Sequence, residues 1–198
     1  MKRPPCLPMT LSASAIRATL SGRKIILHTP LEHSVTVRAL VDIVNDAERD
    51  DHRRDAQQHL EGLVRATVPL GTLLWVREDV AIHWGKPYYT ASVAPPLMAK
   101  YIFAREMLRG ASRLTLEVHH SSAVLLSQIS ECEAIEAGYG ADRHPLHALH
   151  EMARRSFAEK HGGASAPADF AMIRVGFTTL QENVDTVLAS DRTPAVRS

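Results

Sequence analysis

The stretch from Ala111 to Gly140 constrains the fold more than any other part of the chain. Arg113, Thr115 and Glu117 alternate with Leu114, Leu116 and Val118, the period of two that marks a strand buried on one face. The polar run His119-His120-Ser121-Ser122 reads as a turn, and the apolar run Ala123 to Leu126 as a second, shorter strand. Ser130-Glu131-Cys132-Glu133 has the S-x-x-E spacing of a capping box, in which the hydroxyl accepts from an amide one turn on and the carboxylate reaches back. A short helix continues through Ala134, Ile135 and Ala137. Gly138 stands where a left-handed residue closes a helix. This order of strand, turn, strand, capped helix and stop specifies a fold and says much less about activity.

Composition narrows the class. With 198 residues, 45% of them hydrophobic, the chain is long enough for one well-buried core. No run approaches the ~20 apolar residues of a membrane span. Lys2 and Arg3 precede no apolar h-region, so no secretory signal is expected and a cytoplasmic location follows by default. The two cysteines, Cys6 and Cys132, give neither a disulfide framework nor metal-ligand spacing. A net charge of +1 excludes a global basic field, so any nucleic-acid contact must come from a local patch.

Taken in order, residues 1–8 read as a flexible, proline-rich lead, 9–188 as a single domain, and 189–198 as a disordered tail. Ser12 or Ser14 caps a helix that Gly22 ends, and Arg23-Lys24 opens a short strand, Ile25 to His28, which Pro30 breaks. From about 31 to 66 the pattern turns helical, with Val37, Leu40, Val41 and Val44 on one stripe, then Leu60, Leu63 and Val64. Its charged middle, with Asp50-Asp51 and Arg53-Arg54, reads as a solvated face. Leu73 to Glu78 is a strong strand, Gly85-Lys86-Pro87 a hairpin tip, and Pro95-Pro96 the start of a helix with Leu97, Tyr101, Ala104 and Leu108 inward. A helix from Asp142 to Lys160 and a strand from Phe170 to Leu180 complete the chain. Helices alternating with short strands predict an α+β fold, a small barrel or curved sheet with helical insertions.

Four colinear segments carry a family resemblance: Leu11-Ser12 with Gly22-Arg23-Lys24, then Gly71-x-Leu73-x-Trp75-Val76-Arg77-Glu78, then Ala111 to Val118, then Ile129-Ser130-Glu131 through Gly138. In that order they resemble the ASCH domain, in its longer form from bacteriophages and prophages. The resemblance implies a PUA-like β-barrel over roughly residues 9–180 with helical insertions. Some small members are amidohydrolases acting on acetylcytidine, with a lysine and a threonine in an R-K-T-x-T strand entry and a glutamate near the end of the short helix. Lys24 matches the lysine, but Ile25 and Leu27 occupy the threonine positions. The glutamate is displaced to Glu136, one residue earlier, about 100° around the helix. Two of three roles are thus vacant or displaced, and hydrolysis by that route is not expected.

The resemblance also implies binding of RNA or a modified nucleotide, without catalysis, in a cationic groove. The candidate contacts are Arg23, Lys24, Arg77, Arg109 and Arg113, with Trp75 to stack a base. Against this stands a structural alternative in which Arg77 and Arg113 pair with Glu78, Glu117 or their neighbours. Trp75 within an apolar strand also fits a core position. A hydrolase with a rebuilt site would use Lys24, Glu78 and Glu136, and a phage-encoded protein-interaction module would use the charged helices of 31–66. His144, His147 and His150 recur at every third residue, which drifts around a helix and lacks the H-E-x-x-H general base. Neither a metal nor a cofactor is expected, and no membrane partner.

Overall fold

A computed structural model describes residues 4–32, 34–45, 50–139 and 144–190. In order, its elements are β1 (Cys6–Thr10), α1 (Ala13–Leu20), β2 (Ile26–Pro30), α2 (Val35–Asn45), α3 (Asp50–Thr67), β3 (Leu73–Arg77), β4 (Val80–His83), β5 (Lys86–Tyr89) and β6 (Lys100–Ile102). There follow β7 (Thr115–Leu125), α4 (Glu131–Ala134), α5 (Pro145–Lys160), β8 (Ala171–Leu180) and α6 (Val184–Ala189). The fold is α+β. One sheet has the order β1-β3-β7-β8-β2 and the other β5-β4-β6. Both sheets have open edges, so the described strands close no barrel. The chain divides into two compact units, residues 1–24, 71–118 and 177–198 in the first, and 25–70 and 119–176 in the second.

In the first unit, Ser12 caps α1 by accepting from the Ala15 amide at 3.3 Å, and Ile16 is fully buried. The segment expected as a flexible lead contains a strand. β1 runs parallel to β3, with Cys6 opposite Leu73 and Thr10 opposite Arg77. As an edge strand it tolerates Pro8, whose missing amide is not needed by a second neighbour. The same reason corrects the reading of Pro30 as a break, since it is the last residue of β2, the opposite edge. The hairpin tip lies one residue earlier than expected, at Trp84-Gly85, with φ of +51° and +74°. Two central residues at positive φ make the turn whose twist matches the flanking strands.

Two expectations fail here. No helix forms over 95–110: β6 pairs with β4 instead, and single 3-10 turns occupy Ala104–Glu106 and Arg109–Ala111. Leu97 and Leu108, read as inward, are exposed. The buried residue is Met107, whose sulfur accepts the Glu78 amide at 3.3 Å. Asp79 Oδ1 accepts the Ala104 amide at 2.8 Å, tying the segment to the start of β4. Nor does a turn interrupt 119–122. β7 continues through that run to Leu125.

In the second unit, α2 and α3 pack together through Val37, Val41 and Val44 on one and Ala56, Leu60 and Val64 on the other. β2 pairs antiparallel with the first half of β8, Leu27 opposite Val175. Leu149, Ala153 and Phe157 of α5 bury against Leu126, Ile129, Phe170 and Met172. The capping box forms as read: Glu133 donates its amide to Ser130 Oγ at 3.3 Å and accepts the Ser130 amide at 2.9 Å. One π turn, Ile135–Tyr139, follows α4, and Gly138 closes it at φ +92°. Asp142, read as an α5 start, and the tail from 191 lie outside the described residues.

Candidate functional site

Side chains alternate along β3, so Leu73, Trp75 and Arg77 share one face and Leu74, Val76 and Glu78 the other. Glu78 is almost fully buried, at 1% exposure. Arg113 meets its carboxylate with two parallel bonds, Nε to Oε1 at 2.8 Å and Nη2 to Oε2 at 3.0 Å. The same Nη2 donates to Ser92 Oγ at 2.7 Å, and the guanidinium lies 4.3 Å over the Tyr89 ring. This fork is the strong form of a charge pair. It engages two candidate residues with each other, as the structural alternative for Arg113 held.

On the opposite face, Leu73 packs with Val184 and Val187 of α6, and Trp75 lies against that cluster, half-buried. Arg77 sits over the indole, 5.8 Å from the ring to its guanidinium carbon. Its Nε is buried without a hydrogen-bond partner, and among the described residues no carboxylate pairs with it. Arg109 pairs with Asp185 at 2.6 Å, and Asn183 holds the Arg109 and Ser112 carbonyls at 2.9 and 2.7 Å. Burial pushes the half-buried Cys6 thiol up, and the nearby Arg109 charge partly opposes it.

Lys24 is buried, at 5% exposure, and desolvation lowers its pKa to about 8. The pattern of a strand entry did not reveal this, because Lys24 falls after α1 rather than within β2. Its neighbour Arg23 is exposed, with Nε donating to Ser21 Oγ at 3.0 Å. Ile25 is exposed and Leu27 buried, and neither carries a hydroxyl. Glu136 belongs to the second unit, where its carbonyl accepts the Ile25 amide at 3.0 Å and its side chain is exposed.

The second unit holds a polar network that sequence reasoning missed. Arg174 binds Glu133 through Nη1 and donates from Nε to Ser122 Oγ at 3.1 Å, and His120 Nε2 lies 3.2 Å from the same oxygen. Burial raises the Glu133 pKa, but hydrogen bonds from Ser130 and Arg174 outweigh it and leave the carboxyl below its ordinary value. Reading 119–122 as a turn hid this pair of β7 and β8 side chains. On the charged helices, Arg53 donates to the Val44 carbonyl at 2.8 Å and Arg65 pairs with Glu61 at 3.2 Å. His150 turns its ring toward the Leu126 carbonyl, at 3.1 Å. Among the described residues no three metal-ligating side chains converge, and no helix is long and apolar enough to cross a membrane.

No family model matches the sequence, and no curated protein matches it. Among solved structures, the chain is similar to an ASCH domain from Lactobacillus crispatus JV V101, at 12% identity and a TM-score of 0.46 over 88% of this chain and 79% of that one. A likeness at that level says nothing about chemistry.

Proposed function

We propose that this chain is an ASCH-like protein that binds RNA or a nucleotide without catalysis, through cations of its first unit. The observation that carries the reading is the Arg77–Trp75 pair, a guanidinium over a half-buried indole with no carboxylate partner among the described residues. A planar cation beside an aromatic ring suits a phosphate next to a stacked base. Exposed Arg23 is the second contact. Lys24, Arg109 and Arg113 are left to the fold, because one is buried and the other two are held by Asp185 and Glu78. The absence of hydroxyls at Ile25 and Leu27 favours binding over hydrolysis.

The test is binding of a short single-stranded RNA, by fluorescence anisotropy, at several salt concentrations. Each phosphate contact contributes a slope of roughly −0.7, so replacing Arg23 and Arg77 together by alanine flattens the slope by about 1.4. Charge reversal at Arg54, on α3 in the second unit, serves as the control and leaves it unchanged. No binding at low salt, or a slope the double variant does not alter, refutes the reading.

A further inference from the structure

From Val80 to Arg105 the chain contains no Asp or Glu, three cations (Lys86, Lys100, Arg105), and five of its aromatic residues. The whole chain has only two Trp, four Tyr and four Phe, so Trp84, Tyr88, Tyr89, Tyr101 and Phe103 are a concentration, not a background level. All lie in or beside the sheet β5-β4-β6 of the first unit.

Register separates them by face. Val80 pairs with Tyr89 and Ile102, and Ala81 with Tyr88 and Tyr101. Successive rows point to opposite sides of a sheet. The Tyr89 row points inward: Val80 is 1% exposed, the Tyr89 hydroxyl donates to the Ala111 carbonyl at 2.9 Å, and Arg113 covers its ring. Tyr88 and Tyr101 therefore share the outer face, and the Ala81 side chain between them is itself fully buried. His83 and Lys86, two residues along their strands, continue that face. The His83 ring confirms it by meeting Tyr88 edge-on at 6.5 Å and Trp84 at 5.8 Å. Phe103, two residues beyond Tyr101 in extended backbone, carries the face on, with Arg105 at 5.8 Å over its ring.

These rings are not core. Trp84 is 89% exposed, Phe103 57% and Tyr101 56%. Among the described residues no carboxylate pairs with Lys86 or Lys100, and Arg105 meets only its neighbour Glu106, at 3.7 Å. We infer that this face is a stacking platform for the bases of a single-stranded nucleic acid, whose phosphates meet Lys86 and Arg105; Lys100, in register with Ile82, lies in a row of the other face. The occupant follows from charge: exposed rings beside Lys86, which no carboxylate among the described residues pairs with, and Arg105, whose contact with Glu106 is a long 3.7 Å, complement a flexible polyanion that presents aromatic faces. A duplex hides those faces within its stack. The inference rests on the proposal that the first unit binds nucleic acid, and it adds which form of nucleic acid is bound.

The experiment uses the full chain and a fluorescein-labelled oligouridine of about 15 nucleotides, beside a duplex RNA of the same length. Tyr101→Ser and Phe103→Ser, alone and together, act on side chains more than half exposed, and circular dichroism checks that the fold persists. Each ring removed weakens the single strand about tenfold and the duplex little, and wild-type tryptophan emission is quenched on binding as bases meet Trp84. If the ring variants bind as tightly as wild type while Arg23→Ala/Arg77→Ala flattens the salt slope, the platform is overturned and the cation reading stands. If the ring variants lose affinity and the arginine variant keeps its slope, the platform stands and the cation reading falls. Equal affinity for the duplex overturns the platform. Absence of RNA binding, with self-association by sedimentation that the ring variants abolish, also overturns it and assigns the rings to a protein contact.

Discussion

Replacing Lys24 by methionine tests the electrostatics of the first unit most directly. Desolvation lowers the lysine from an ordinary 10.5 to about 8. At pH 7 the ammonium is charged in both folded and unfolded chains, so the folded protein bears the net cost of burying its charge. As pH rises past 8 the folded state releases its proton, while the unfolded state keeps it until 10.5. Over that window the unfolded chain binds more protons, so stability rises with pH. The full shift amounts to about 3 kcal/mol, of which about 2 kcal/mol is regained by pH 9.5. Lys24→Met removes the titrating group but leaves Cys6 and Tyr89, which also ionise at alkaline pH, in both proteins. Their effect cancels in the comparison. Both tryptophans, Trp75 and Trp84, lie in the same unit as Lys24, so urea unfolding followed by tryptophan fluorescence reports on the right part of the chain. The stability of wild type relative to Lys24→Met is expected to increase by about 2 kcal/mol between pH 7 and pH 9.5. A difference that stays constant across those two pH values refutes the buried-charge argument.

Arg113→Ala leaves Glu78 buried without its fork and costs about 3–5 kcal/mol in urea unfolding, and replacing both by apolar residues recovers most of it. Ser130→Ala removes the α4 cap and costs about 1 kcal/mol by the same assay. The depressed Glu133 carboxyl contributes stability that is fully present above its ordinary 4.5 and is lost as pH falls from there through its folded value; acid unfolding of wild type therefore shows a loss setting in below 4.5 that Glu133→Gln lacks. Purified protein incubated with acetylcytidine releases no cytidine above a buffer blank by chromatography, and turnover abolished by Lys24→Ala would mean that another hydroxyl serves the site.

Local chemistry was legible where local chemistry decides. The β3 strand, the Ser12 and Ser130 caps and the Gly138 stop each depend on neighbours within a turn, and each is found where the pattern put it. Prolines misled because their effect depends on where a strand lies in its sheet, which no window of sequence contains. Pro8 and Pro30 look like interruptions until β1 and β2 turn out to be the two edges. Charged residues were harder for the same reason. Glu78 and Arg113 are 35 positions apart, and only the contact between them distinguishes an arginine that holds a fold from one that holds a ligand. Among the other candidates, Lys24 is buried and Arg109 is paired with Asp185. Arg77 differs because its face of β3 supplies an indole and no carboxylate.

The aromatic face was present in the sequence and was concealed by one error of period. Reading 95–110 as a helix turned Leu97, Tyr101 and Leu108 inward, which made an exposed tyrosine look like core and separated it from the hairpin at Trp84. Pairing of β6 with β4 reverses this: a strand period sets Tyr101 beside Tyr88 across Ala81, on the face that His83 and Lys86 continue. The strand wins because β4 offers an unpaired edge, and because Asp79 and Met107 secure both sides of the segment by accepting the Ala104 and Glu78 amides. A helix there would have left that edge open. The contacts that decide the secondary structure of this segment are therefore the ones that bring its rings onto one face.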